Sequence, residues 1–330
     1  MIERSLGRSG PQVSAIGLGC MGMSEMYGSA DRSESIATIH AALDAGVNLL
    51  DTGDFYGMGA NEMLIAEALK GRRREDVTIS VKFGAVRGPD GHWLGNDASP
   101  NAVRNFCAYS LKRLGVDYID VYRPARLDPA TPIEDTVGAI ADLIKAGYVR
   151  HVGLSEVGAE TIRRAAAVHP ISDLQIEYSI IARSIEDKIL PACRELGIAV
   201  TAYGVLTRGL ISGHWTKAPS KPGDRRAQSP RFQDANLDHN LALVEALRAI
   251  ASARGITMAQ LAIAWVLSRG DDIVPLVGAR TRERLAESLG SLEVELDTDA
   301  LAEIEAVAPR DAARGERYPA PLMAQLDSER

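Results

Sequence analysis

Short apolar runs alternate with stretches of helical spacing along most of the chain, and this rhythm restricts the fold more than any other feature. The runs are Val13–Leu18, Val47–Leu50, Val77–Val81, Tyr118–Tyr122, Val149–Leu154, Leu174–Ile176, Ile198–Ala202 and Ile273–Val277. Each is too short for a buried helix and is flanked by turn formers, so each reads as a strand. The segments between them carry helix signals. Ser33 stands as a cap for a helix that ends at Gly46, Ser99-Pro100 opens one that runs to Leu114, and Thr131-Pro132 opens another that stops at Gly147. Further helices are predicted over Asn61–Lys70, Ala159–Val168, Ile185–Leu196, Leu237–Arg254, Met258–Ser268 and Arg282–Gly290. Strands separated by helices need crossover connections, hence a parallel sheet. About eight such units suit an α/β fold of the (β/α)8 TIM-barrel type, with an open doubly wound sheet as the alternative. Residues 2–18 read as an N-terminal β-hairpin, and the 330-residue chain as one barrel domain with a C-terminal tail at 309–330. The tail is charged, proline-containing and without periodicity; it either folds over the barrel or stays disordered.

The barrel reading fixes where chemistry belongs, because parallel barrels keep their sites at the carboxyl ends of the strands. Two long polar connections, Gly84–Ala98 and Gly204–Asn236, follow strands and belong to that face; the second contains Ala218-Pro-Ser-Lys-Pro-Gly and reads as a flexible segment. The residues at or just past the strand ends are Cys20 and Met21, Asp51, Lys82, Ala125 and Arg126, Ser155 and Glu156, Gln175, Tyr203 and Gly278. They collect acid, base, amide, hydroxyl and aromatic groups on one rim. Within that set, Asp51, Tyr56 and Lys82 form a unit. A cation beside a phenol stabilises the phenolate and lowers a pKa that is ordinarily ~10, so the phenol can exchange a proton near neutral pH. A carboxylate holds the lysine charged and in place. Such a trio suits proton transfer to a carbonyl oxygen, although a surface Asp–Lys pair with an unrelated tyrosine would share the spacing. Gly278-Ala-Arg280-Thr-Arg282-Glu-Arg284 starts a helix with three arginines, as a phosphate site would; a solvated helix face is the plainer reading.

Gly17-Leu-Gly19-Cys-Met-Gly22 matches G-x-G-x-x-G, but no helix opens behind it before Ser33, so it does not read as a dinucleotide fingerprint. With 46% apolar and 25% charged residues and a net charge of −7, the chain reads as a soluble protein with neither nucleic acid nor membrane as partner. No apolar run approaches the ~20 residues of a spanning helix, and the opening Met1-Ile-Glu-Arg lacks a signal-peptide core. Three widely spaced cysteines, Cys20, Cys107 and Cys193, suggest free thiols and a cytoplasmic setting. No metal site is expected.

Together the motifs Gly17-Leu-Gly-Cys-Met-Gly-Met-Ser, Asp51-Thr-Gly-Asp-Phe-Tyr56-Gly, Ser80-Val-Lys82-Phe-Gly, Gly153-Leu-Ser-Glu, Gln175-Ile-Glu-Tyr-Ser and Ala202-Tyr203-Gly resemble those of the aldo-keto reductases over essentially the full length. The resemblance implies a barrel that binds NADP(H) across its mouth and moves hydride from the nicotinamide to a carbonyl carbon. By it, Tyr56 is the proton donor and Lys82 and Asp51 its tuning groups. Ser155 and Gln175 are the carboxamide binders, Cys20, Met21 and Asp51 further cofactor-binding residues, and Tyr203 the stacking ring. Leu206, Arg208 and Gly209 form the pyrophosphate loop, and Gly278, Arg280, Arg284, Glu287 and Ser288 the adenosine-phosphate end. Ser288 stands where the family usually has asparagine.

One departure stands out. The related branch reads D-L-Y-Y-Q-H-R-V-D-P after the fourth strand, and this chain reads Asp120-Val-Tyr-Arg-Pro-Ala125-Arg-Leu-Asp-Pro. The family's active-site histidine is therefore Ala125. Arg126, Arg123 or a water is expected to fill the gap, and His92 and His214 are further candidates from the long loops. Loss of one such donor typically costs ~10²–10³ in rate. Two functions follow: an NADPH-dependent reductase acting on a small carbonyl substrate, or a weakly catalytic NADPH binder with a regulatory, redox-sensing role. An aldolase using Lys82 as a Schiff base is a third. Arg126 and Trp93 are expected to meet the substrate, and Met21, Met23, Phe55, Phe83 and Trp215 are further pocket candidates.

Overall fold

The computed structural model describes residues 1–24, 28–215 and 225–330. Much of the predicted flexible segment, 216–224, lies outside them. Eight parallel strands close into a barrel: β3 (Gly17–Gly19), β4 (Leu49–Gly53), β5 (Thr78–Phe83), β8 (Ile119–Pro124), β9 (Val149–Ser155), β10 (Ile171–Glu177), β11 (Ala199–Tyr203) and β12 (Ile273–Val277), with β12 pairing back onto β3. The open-sheet alternative falls with that closure. A hairpin of β1 (Glu3–Ser5) and β2 (Gln12–Ser14) precedes the barrel, and a second, β6 (Ala85–Arg87) with β7 (Trp93–Asn96), rises from the long connection after β5. The predicted strand Val13–Leu18 is thus two strands, one in the hairpin and one in the barrel.

The surrounding helices are α1 (Arg32–Asp44), α2 (Ala60–Ala68), α3 (Pro100–Leu114), α4 (Ile133–Lys145), α5 (Ala159–Val168), α6 (Ile189–Leu196), α7 (Asp234–Ala253), α8 (Met258–Leu267), α9 (Arg282–Leu289) and α10 (Thr298–Val307). Ser99 caps α3 as expected, its hydroxyl accepting from Ala102 N–H. Ser33 does not cap α1: Asp31 does, accepting from Glu34 N–H at 2.7 Å, because a carboxylate before the first turn meets the free amides better than a hydroxyl inside it. Thr131 does not cap α4 either; its hydroxyl donates to Asp128 at 2.8 Å. The predicted helix 185–196 is a 3₁₀ turn followed by α6. Among the described residues no single helix is long and apolar enough to cross a membrane.

Side chains alternate along each barrel strand, outward under the helices and inward to the lumen. Ile79, Val81 and Phe83 of β5 therefore join the outer core, and Phe83 stacks on Tyr122 with ring centres 4.2 Å apart. Phe83 and Met23, sequence candidates for a pocket wall, are buried core residues. The amino-terminal end of the lumen is plugged by Leu49, Val121, Ala199, Val274 and Leu276, with Leu6 and Val13 of the hairpin beneath. Gly17 sits at this plug because a Cβ there would lie 2.6 Å from Leu276. Above the apolar floor, at Asp51, Ser80, Arg123, Asp173 and Thr201, the lumen turns polar, and that change of character positions the site.

Candidate active site

Asp51 lies third of five residues in β4, inside the lumen rather than at the strand end, and Lys82 is one step higher on β5. Lys82 Nζ donates to Asp51 Oδ2 at 2.5 Å and to Gln175 Oε1 at 2.8 Å. Gln175 Nε2 and the Ser80 hydroxyl donate to Asp51 Oδ1 at 2.7 and 3.0 Å. Both charged side chains are about 6% exposed. Burial opposes the Lys82 ammonium and lowers its pKa below 10.5, while the Asp51 charge and hydrogen bond work in the opposite direction. Tyr56 follows β4 in a tight turn and is 5% exposed. The Lys82 ammonium lies 5.1 Å from the centre of its ring. Phe55 meets Tyr56 edge-on at 4.8 Å, and Trp93, carried in by β7, meets Phe55 at 5.7 Å. The three residues of the expected trio are therefore together, and the aromatic wall beside them includes Trp93.

Ser155 and Gln175 are register partners on β9 and β10. The Ser155 hydroxyl is buried and makes no hydrogen bond within the described structure. Tyr203, at the end of β11, donates its hydroxyl to Glu156 at 2.6 Å and meets the Tyr318 hydroxyl at 3.0 Å. Leu206, Arg208 and Gly209 form the turn behind it. On the far side of the rim, Gly278 faces open space before α9. Arg284 and Glu287 form a cluster with His214, whose Nε2 lies 2.8 Å from Glu287. Arg280 precedes this helix, exposed, but Arg282 is turned to Glu34 of α1 at 3.0 Å. Ser288 is only 3% exposed, and its hydroxyl donates to the Arg284 carbonyl.

Around Ala125 the expected groups take different places. Ala125 is 2% exposed, with its N–H donated to Phe83 O at 2.7 Å. Arg126 bends back, donating to Ala125 O at 2.7 Å with its guanidinium 6.0 Å from the Tyr318 ring. Arg123 does not reach the rim at all: it is fully buried in the lumen below Lys82, because a strand residue two before Ala125 faces inward but one layer lower. His92 is exposed on its hairpin and His214 is tied to Glu287, so neither enters. Trp215 packs on Phe232.

Of the two alternatives for the C-terminal tail, the structure shows the first: it folds over the barrel and is part of this face. Arg317, 5% exposed, grips Glu156 with both terminal nitrogens at 3.0 and 2.9 Å and reaches Glu177 at 3.3 Å. Arg208 lies 4.4 Å from the Tyr318 ring, Ser328 donates to Glu156, and Asp327 accepts from Gly158 N–H at the start of α5. Burial would raise the Glu156 carboxyl, but Arg317, Arg126 and the Tyr203 hydroxyl hold it down at about 2. A depression at the opposite end of the barrel, lined by Arg4, Arg194, Asp271 and Asp272, pairs its charges internally and contains none of these groups.

Comparison with known proteins decides the family. The model of the Aldo/keto reductase family matches residues 15–309. The chain belongs to the aldo/keto reductase family. A probable aldo-keto reductase from Glycine max is 43% identical over 317 residues, covering 95% of this chain and 91% of that protein. Among solved structures, the glycerol dehydrogenase AKR11B4 from Gluconobacter oxydans superimposes with a TM-score of 0.83 at 27% identity, covering 99% of this chain and 96% of its own. The holo form of aldo-keto reductase AKR11C1 from Bacillus halodurans gives 0.78 at 28% identity, covering 96% and 99%. Nicotinamide-dependent carbonyl reduction is the chemistry of this family.

Proposed function

We propose that the protein is an NADPH-dependent reductase of aldehydes and ketones in which Tyr56 donates the proton. The observation that carries this reading is the buried Asp51–Lys82–Gln175 network with its ammonium against the Tyr56 ring. The residues present fit a nicotinamide dinucleotide. The unpartnered Ser155 hydroxyl beside Gln175 suits a carboxamide, and the Tyr203 ring suits the face of a flat heterocycle. Leu206, Arg208 and Gly209 would line the pyrophosphate, with Gly278, Arg280, Arg284 and Glu287 at the adenosine phosphate. When bound, the dinucleotide supplies the hydride. The chain's own part is to hold the carbonyl oxygen at Tyr56, exclude water with Phe55 and Trp93, and keep the phenol ready to give its proton. Lys82 favours the resulting phenolate, and Asp51 holds Lys82 in place.

Arg126, whose guanidinium donates to the Ala125 carbonyl at 2.7 Å, suits an anionic substituent on the substrate. Arg126→Met is expected to raise KM for carboxylate-bearing aldehydes about tenfold and leave neutral aldehydes nearly unchanged, as steady-state kinetics on the two classes would show. Preference for NADPH rests on Arg284. In Arg284→Ala, fluorescence titration is expected to show NADPH affinity lower by about tenfold and NADH affinity little changed. Equal losses for both cofactors would remove the arginine from phosphate recognition.

Ala125 favours a second reading, a regulatory NADPH binder with weak turnover. Titration with NADPH followed by a panel of aldehydes separates the two. Oxidation of bound NADPH supports the reductase; binding without oxidation supports the regulator.

A further inference from the structure

We propose that Arg123 is a positioning residue for the Asp51–Lys82–Tyr56 unit and that it acts through Ser80. The inference rests on the assignment of Tyr56 as proton donor. The Arg123 guanidinium can only donate hydrogen bonds. One nitrogen donates to Ser80 Oγ at 2.9 Å. Ser80 therefore has its oxygen occupied from below and its single hydrogen committed upward, to Asp51 Oδ1 at 3.0 Å. Asp51 in turn holds Lys82 at 2.5 Å. The other terminal nitrogen donates to Asp173 Oδ2 at 2.7 Å and to Thr201 Oγ1 at 3.2 Å.

The setting was built around this group. Arg123 and Asp173 are each 0% exposed, and Gly153 leaves the room: a Cβ there would stand 3.0 Å from both Arg123 Cζ and Asp173 Oδ1. A fully buried ion pair adds little to stability over an apolar pair of similar volume. Its effect is better sought in the groups it touches. Arg123 is the register partner of Lys82 across β5 and β8, so a permanent cation stands on the strand next to the lysine. It opposes the Lys82 charge, and Asp173 is set on its far side. A cation in that place favours phenolate over phenol at Tyr56.

The test compares wild type with Arg123→Gln/Asp173→Asn, which removes both charges and keeps the shape, and with Ser80→Ala, which cuts the relay and leaves the pair. Tyr56 ionisation is read on the full-length protein as the ultraviolet difference between each background and the same background carrying Tyr56→Phe. The midpoint is expected to rise by about one pH unit in the double variant and by less in Ser80→Ala. The alkaline limb of the pH–rate profile for aldehyde reduction should rise with it, because reduction needs the protonated phenol. Arg123→Lys, which keeps the charge, is expected to stay near wild type. A uniform drop in kcat with an unmoved midpoint and limb would overturn the proposal. If the double variant does not fold, Ser80→Ala decides by the same readout. A moving midpoint in a protein that reduces no aldehyde would sink the reductase assignment and leave this coupling standing. Turnover with a fixed midpoint does the reverse.

Discussion

Tyr56→Phe is expected to lower kcat/KM for aldehyde reduction by ~10²–10⁴, about 3–5 kcal/mol of transition-state stabilisation, with NADPH affinity unchanged. The substitution removes one oxygen and little else. The ring keeps its edge contact with Phe55 at 4.8 Å and its place 5.1 Å from the Lys82 ammonium, so the turn after β4 should hold its shape. Asp51, Lys82 and Gln175 keep every hydrogen bond among themselves, because none of those bonds uses the phenol. What is lost is the hydroxyl of the ring that stands against the buried ammonium. With Ala125 in place of the family's histidine and Arg126 turned toward Tyr318, no second proton donor stands at the same point among the described residues. The loss should therefore be nearer the upper end of the range than in a site with two donors. Steady-state kinetics with an unhindered aldehyde, alongside fluorescence titration with NADPH, measures both quantities. Turnover equal to wild type would end the assignment of Tyr56 as the acid.

Much of this site could be read before any coordinates. Ser80-Val-Lys82-Phe alternates polar and apolar within a strand of a parallel barrel, and that period of two already puts Ser80 and Lys82 on one face and Val81 and Phe83 on the other. The same logic places Arg123 on the inner face of β8 and Ala125 just past its end on the same side. Arg123 is nevertheless one of the sequence candidates for the gap at Ala125, because spacing shows strand ends and not layers; the rise of a strand carries a residue two places back a full layer down the lumen. Asp173 escaped notice for a related reason. The apolar run marks only Leu174–Ile176 as strand, whereas β10 begins at Ile171, and an acidic residue near a strand start looks like a turn. The caps at Ser33 and Thr131 failed because several oxygen-bearing residues crowd each helix start and spacing alone does not choose among them. Arg317 and Tyr318 had no local signal. Their places depend on Glu156 and Glu177, over a hundred residues earlier, and pairings at that range have no period.

The tail supplies the other large expected effect. Arg317→Ala should destabilise the folded chain by about 3–5 kcal/mol, because it leaves Glu156, 0% exposed, without the cation that satisfies it. Glu177 is less affected, since Arg231 still reaches it at 3.2 Å. The pH dependence identifies the cause. Glu156 is held at about 2 in the folded protein, below its ordinary value of 4.5, with burial opposing and Arg317 leading the charges that lower it. A depressed carboxyl contributes stability that is fully present above the unfolded value and is lost as pH falls through the folded one. The gap between wild type and Arg317→Ala should thus be widest above about pH 5 and close as pH falls toward 2. Denaturant unfolding across that range measures the gap, and hydrogen exchange at Gly158 and Ser328, whose amides bond Asp327 and Glu156, reports whether the tail lifts first. A gap that does not change with pH would mean that Arg317 holds the tail by packing alone. If exchange at these amides rises while the rest of the barrel stays protected, the variant also tests what the tail does for the site. Tyr203 would keep its bond to Glu156 and lose Tyr318, so any change in NADPH affinity would come from the covering segment and not from a collapsed rim.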